Sequence, residues 1–406
     1  MAHSSTKRVT RELKLPRPID RQLASEIEKQ FVYVSTYIKQ LKVGDSGEVV
    51  IVECDAVGPV LEETLGKVER FLDAMTKSFR KIDQRVQHER NRHTAGVDGG
   101  RVYDEMRRRG WVFEHGQGQV SLSGPPLNAL NALDLRLAAE YHDKFDAIDH
   151  SYPAMIKADL LARCGYFEMH PNSVSFVSHA VEDFDELEAF RRANVGKSEL
   201  IVPGHNSLAL PEYCLNPAAC FPSYEALEGR RLPEAGTTLT WRGRVFRYES
   251  RNTTGLDRLW EFNVRELVFV GSDDFVLNGR AQAMDLIIAL CEEWDMDCRI
   301  ETATDPFFAT VYAAKAFWQQ AMDVKHEVRA KVEDMPDGSV RTIAVGSLNL
   351  HGDFFGNRFH IKDAGDEMAA SGCVGFGLER LMFALFAQHG LDAASWPVAL
   401  RDVVFR

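Results

Sequence analysis

The 406-residue chain contains no apolar run approaching the length of a membrane span, no internal repeat and no low-complexity tract. A membrane-helix protein and a repeat architecture are both excluded on that reading. The segment from Met1 to Arg8 lacks an apolar core, so no secretory signal is expected and a cytoplasmic location follows. Its seven cysteines are an odd number and show no disulfide-like spacing, which predicts reduced thiols. Cys54, Cys164, Cys291 and Cys298 sit in apolar or helical surroundings and read as small core residues. No two cysteines have the local spacing of a zinc knuckle. Positive charge is also short. Against 60 acidic residues there are 48 Lys and Arg, a formal net charge of −12, so any contact with a polyanion must be local. The basic run Arg107-Arg108-Arg109 is one such place, and it reads equally as a solvated helix face.

What is present is an ordinary globular balance, 45% hydrophobic and 27% charged, in a chain long enough for two domains. Val49 to Val52 reads as an apolar strand. Leu61, Leu65, Val68, Leu72, Met75, Phe79 and Ile82 recur at helical spacing and predict one amphipathic helix over 60–86. A glycine-rich break follows at Gly96 to Gly100, then a short hairpin around Gly116-Gln117-Gly118, then a long helix from Pro125-Pro126. These elements predict an α+β appendage over residues 1–145 and a larger domain over 146–406.

The larger domain carries the chemistry. Gly243-Arg244-Val245-Phe246-Arg247-Tyr248-Glu249 reads as a strand, Ser250 to Leu259 as a polar reversal, and Trp260 to Gly271 as the returning strand. On a strand, side chains two apart share a face, so Arg247 and Glu249 point the same way. Near the C-terminus, Gly375-Phe376-Gly377-Leu378-Glu379-Arg380 places two glycines on a strand before an apolar helix. Glycines there leave room for a flat ligand against the backbone, and an arginine can cover it. Together these segments resemble motifs 2 and 3 of the class II aminoacyl-tRNA synthetases. Tyr166 to Val177 occupies the place of motif 1, on which class II cores dimerise.

Further stretches narrow the resemblance. They are Asn216 to Tyr224, Thr304-Asp305-Pro306, Lys325-His326-Glu327 and Gly346 to Gly356. They resemble the amino acid:[carrier protein] ligases, truncated homologues of the zinc-dependent, methanogen-type seryl-tRNA synthetases. The resemblance implies an antiparallel class II sheet flanked by helices, and a homodimer. It implies ATP-dependent activation of a small amino acid (glycine, alanine or serine) as an adenylate, then transfer to the phosphopantetheine thiol of a holo-acyl carrier protein. Arg247 would stabilise the charge on the α-phosphate, and Glu249 would accept from the adenine amino group. Phe262 and Arg380 would enclose the adenine ring, with Arg258, Gly375 and Gly377 completing the ATP site. Glu327 would hold Mg²⁺. Ala344 stands where the tRNA synthetases carry a second acidic ligand, which leaves the number of magnesium ions open. Zn²⁺ would be held by Cys220, Glu266 and Cys373, its open position taken by the substrate amine, with Ser347 and Asn349 lining the amino-acid pocket. A carrier protein would dock on a basic surface, either Arg107 to Arg109 or the helix after Phe308 with Tyr312, Lys315 and Trp318. Two other readings stay open: a seryl-tRNA synthetase of methanogen type, with tRNA as acceptor, and an inactive paralogue acting as a binding module. No membrane partner is expected.

Overall fold

The strand Glu261–Gly271 sends Leu267 and Phe269 into one apolar cluster and Val264, Val268 and Val270 into another. A strand that is apolar on both faces has to lie inside a sheet covered on both sides. The structure, a computed structural model, describes residues 8–77, 79–80, 83–92, 96–204 and 207–405. In it Glu261–Gly271 is an inner strand of an eight-stranded sheet. The strand order is Val86–Arg90, Cys298–Thr302, Lys325–Asp334, Val340–Gly352, Ala370–Gly377, Glu261–Gly271, Thr237–Phe246 and Ile148–Asp149. All pairings are antiparallel except the last. This is the expected α+β class, with the sheet flanked by helices.

One face is covered by the helices Gly124–Phe145, Asp273–Glu293 and Leu378–His389. The last is buried along nearly its whole length, which accounts for a sequence apolar all round. Against the other face pack Cys164, Cys220, Tyr224, Phe355 and Phe359, and this face carries the site. A third core lies in the N-terminal part. There Val9–Lys14, Val49–Cys54 and Ile38–Val43 form an antiparallel sheet under the helices Arg21–Gln30 and Gly58–Thr76. Phe307, Tyr312 and Ala316 enter that core from the larger part of the chain. Residues 86–145, placed with the appendage on sequence grounds, pack on the large sheet: Val86–Arg90 is its edge strand, and Val102, Leu133 and Leu137 join its core.

Two local expectations change. The helix predicted over 60–86 ends at Thr76, and Val86 opens an edge strand. Phe79 leaves the helix and stacks on Tyr312 instead, while Ile82 lies outside the described residues. The helical spacing continued past the helix end because docking against a neighbouring element, not propensity, orders that segment. Tyr312, proposed as part of a docking surface, is only 2% exposed, whereas Trp318 is 52% exposed. Among the described residues no helix is long and apolar enough to cross a membrane.

A buried ion pair ties the helix Gly124–Phe145 to the sheet. Arg265 Nε donates to Asp134 Oδ1 at 2.7 Å, and both side chains are 8% exposed. Removing one partner leaves the other charged and buried. Asp134→Ala is therefore expected to destabilise the protein by about 3–5 kcal/mol in denaturant titration. Asp134→Ala with Arg265→Met should recover part of that loss. A single-mutant change below about 1 kcal/mol would mean that the pair carries no structural weight.

Candidate active site

Strand register builds the site. Glu266 faces Gly375, which faces Ser347, which faces Glu327, which faces Glu301. One pleat along, Val268 faces Cys373, which faces Asn349, which faces Lys325. The period of two puts both rows on the same face of the sheet. Cys220 approaches that face from the turn before the short helix Phe221–Ala226. Cys220, Glu266 and Cys373 each offer a ligand atom within 4.8 Å of the others, and all three are buried. A Cβ on Gly375 would fall 2.7 Å from a Glu266 carboxylate oxygen, so only glycine leaves that carboxylate its place. Gly377 differs: a Cβ there meets nothing nearer than 4.0 Å, beside the Arg380 side chain.

Without a cation this trio is electrostatically costly. Burial, reinforced by Cys373, pushes the Glu266 carboxyl well above the usual carboxylate range. Contact with Cys220 and burial push the Cys373 thiol up in the same way. For Cys220 the Cys373 contact pulls down, but burial and Glu266 outweigh it and the thiol ends up raised. Two thiols and a carboxylate, converging and protonated in the absence of metal, form a donor set that suits a thiophilic divalent cation. Around it sit Asn349, expected from the sequence to line the amino-acid pocket, and His351, which sequence reasoning did not single out. Asn349 Nδ2 lies 3.5 Å from Cys373 Sγ, and His351 Nε2 lies 3.8 Å from it. His351 in turn reaches Tyr224 Oη and Ser371 Oγ at 3.3 and 3.2 Å. Burial lowers the His351 pKa to about 4, so the ring is neutral at ordinary pH.

The residues that the sequence assigns to a nucleotide site lie close to one another, with Arg247 beside the trio. Arg247 donates from Nε to the Pro217 carbonyl at 2.9 Å, and its guanidinium lies 5.7 Å from the Phe262 ring centre. Glu249 pairs with Arg258 at 3.1 Å. Arg380 donates to the Asp257 and Ala344 carbonyls. Burial, then the neighbouring Arg258, lowers its pKa to about 10, with Glu249, Arg247 and Glu327 as its other charged neighbours. Glu327 lies between two cations, Arg329 at 2.9 Å and Lys325 at 3.6 Å. The Ser347 side chain is its neighbour on the next strand.

The buried Lys325 and the half-buried Asp305 form an ion pair that also went unread. Burial works against both charges, but each outweighs it for the other, so both stay ionised. A signal was present: Lys325 and Glu327 are two apart on one strand and must share a face. The alternation does not say that Asp305, from a loop, closes the pair.

Similarity to known proteins follows this geometry. No protein-family profile matches the chain. It is 32% identical over 260 residues to amino acid–[acyl-carrier-protein] ligase 1 of Bradyrhizobium diazoefficiens, covering 62% of this chain and 75% of that one. Ligase 2 of the same organism is 34% identical over 258 residues, with 62% and 73% covered. The type-2 serine–tRNA ligase of Methanococcus aeolicus is 27% identical over 386 residues, 93% of this chain and 69% of that one. Among solved structures, M. kandleri SerRS in complex with A. aeolicus tRNASec superimposes with a TM-score of 0.69 at 20% identity, covering 98% of this chain and 77% of that chain. The cytoplasmic serine–tRNA ligase of Naegleria fowleri gives 0.59 at 13%, covering 85% and 71%. With a class II synthetase-like sheet and relatives above 30% identity over most of their length, the chain belongs to the amino acid–[acyl-carrier-protein] ligase family and is an ATP-dependent aminoacylating enzyme.

Proposed function

We propose that the protein activates a small α-amino acid with ATP and passes the aminoacyl group to the phosphopantetheine thiol of a carrier protein. The observation that carries this reading is the shared face of one sheet, where the Cys220–Glu266–Cys373 trio adjoins Arg247, Glu327 and Arg380. In the first step a carboxylate oxygen of the amino acid attacks the α-phosphorus, and pyrophosphate leaves. Negative charge grows on the α-phosphate as it becomes five-coordinate. Arg247, fixed by the Pro217 carbonyl, supplies a preorganised positive charge there. Glu249 accepts from the adenine amino group, and Phe262 and Arg380 enclose the ring. Arg258 and the backbone at Gly377 complete the nucleotide's surroundings. Mg²⁺ would be held through Glu327 together with the phosphates, and would offset their negative charge there. In the second step the thiol attacks the aminoacyl carbonyl, the thiol proton passes to solvent, and AMP leaves.

Zn²⁺ fits the trio, and when bound it supplies a Lewis-acidic position for the substrate amine. Amine recognition of that kind selects α-amino acids whatever their side chain. Ser347 and Asn349 would line the amino-acid pocket, with His351 beside Cys373, and the expected substrate is a small amino acid, glycine, alanine or serine. The purified protein should carry about one zinc per chain, and Cys220→Ser or Cys373→Ser should abolish it, because two remaining ligands are too few. Elemental analysis decides this, and a fully active zinc-free protein would overturn the assignment.

A second reading has its own support. The likeness to a seryl-tRNA ligase extends over 93% of this chain, including the N-terminal part, whereas the carrier-protein ligases match 62% of it. The proposed basic docking run is also partly neutralised: Arg108 and Arg109 each pair with Glu105 at 2.7 Å. Parallel assays with labelled amino acid, ATP, total tRNA and a holo-carrier protein separate the acceptors. We expect amino-acid-dependent exchange of pyrophosphate into ATP, thioester on the carrier protein, and loss of exchange by about two orders of magnitude or more in Arg247→Ala. Label on tRNA as a base-labile ester, with none on the thiol, would select the tRNA reading. Near wild-type exchange in Arg247→Ala would remove that residue from the site.

A further inference from the structure

The polar loop between the strands Thr237–Phe246 and Glu261–Gly271 carries Glu249 and Arg258, yet its shape is imposed from outside. On one side lies the N-terminal part of the same chain. The Tyr33 hydroxyl donates to the Tyr248 carbonyl at 3.2 Å. Arg251 donates to the Ile38 carbonyl at 2.7 Å and lies 5.9 Å over the Phe31 ring. The Asn252 amide donates to the Lys29 carbonyl at 2.7 Å. A hairpin turn holds the other side. Trp260 N donates to the Gly118 carbonyl at 2.8 Å, and the Gln117 amide donates to the Ser250 carbonyl. Gly118 has φ +67°, and a Cβ on it would lie 2.6 Å from Trp260 N and 2.7 Å from the Thr253 methyl, so this jaw closes on the loop without room to spare.

These contacts are made by loop backbone groups or by the side chains of Arg251 and Asn252, and none of them uses the Glu249 or Arg258 side chain. They fix the path of the loop and leave the Glu249–Arg258 pair free to face a ligand. Tyr33 also feels the charge of that pair: burial, then the charge of Glu249, pushes its phenol up to about 12. Polar loops of this length sample many conformations unless restrained, and a restrained one binds its ligand without paying the ordering entropy.

We propose that the N-terminal segment 29–38 is a clamp on the nucleotide loop, with Tyr33 the positioning residue that holds Glu249 and Arg258 in their ATP-binding geometry. The proposal rests on the reading of those two residues as ATP contacts. It gives the N-terminal part a role in adenylation itself, ahead of any role in meeting the acceptor. A contact that merely glues two parts together would affect stability alone. A clamp affects one substrate selectively.

The test uses the full chain with Tyr33→Phe, Tyr33→Ala and, as a control from the same segment, Tyr37→Phe, whose side chain is 46% exposed. Amino-acid-dependent pyrophosphate exchange gives kcat and a KM for each substrate. Amide hydrogen exchange reports on residues 248–260 without nucleotide. Tyr33→Phe should raise the KM for ATP about threefold to tenfold, the size of one lost neutral hydrogen bond, and Tyr33→Ala more. The KM for the amino acid and kcat should stay within about twofold. In Tyr33→Ala, exchange should speed up in the loop and not in the strand Glu261–Gly271. An unchanged KM for ATP in both variants, or equal rises for both substrates, would overturn the clamp. Should the wild type support no exchange at all, the activation reading fails instead, and hydrogen exchange alone still decides whether Tyr33 holds the loop.

Discussion

A carboxylate buried beside two thiols is an unfavourable arrangement for any protein to keep, and the rest of the site is organised around it. Glu266 lies on an inner strand of the large sheet, where burial alone would hold it protonated. Arg247, just past the end of the neighbouring strand, counters this only in part, and the carboxyl stays raised. A mutation-tolerant sheet would fill such a place with valine, as its neighbours Val264 and Val268 do. Keeping Glu266 there instead requires a cation to stabilise the ionised form. The same demand explains Gly375, whose missing side chain leaves the carboxylate its volume.

Around this centre the sheet sorts chemistry by distance along its strands. The Gly375–Gly377 end lies with Arg380 and Glu327, where the proposed nucleotide would sit, and the Cys373–Ser371 end lies with Asn349 and His351, where the proposed amino acid would sit. A substrate whose amine sits at the trio and whose carboxylate points towards Arg247 bridges the two ends. Rigid strands set those positions, while the nucleotide loop is shaped by contacts from outside the sheet.

Much of this was legible in the sequence. Gly375 marks a close approach, to the Glu266 carboxylate, as the glycines before Arg380 suggested, whereas the alternation that paired Arg247 with Glu249 does not hold, because the strand ends at Phe246 and both residues lie beyond it. The trio was not legible from spacing, because its members come from a turn and two strands far apart in the chain, and only resemblance to a family joined them. Tyr33, His351 and the Asp305–Lys325 pair escaped for a different reason. Each acts through a contact between segments that pack together only in the fold, and local pattern carries no record of docking. The helix ending at Thr76 shows the same limit, since the apolar spacing that continued to Ile82 belonged partly to a loop stacked on Tyr312.

The most direct measurement is a zinc K-edge absorption spectrum of the purified full chain, taken without and with the amino acid that supports pyrophosphate exchange. The account predicts two sulfur neighbours at about 2.3 Å and the remaining oxygen or nitrogen neighbours at about 2.0–2.2 Å. Adding the amino acid should change the oxygen and nitrogen shell while both sulfurs stay. A four-sulfur site, a site whose spectrum ignores the amino acid, or an active protein without a zinc edge would contradict it.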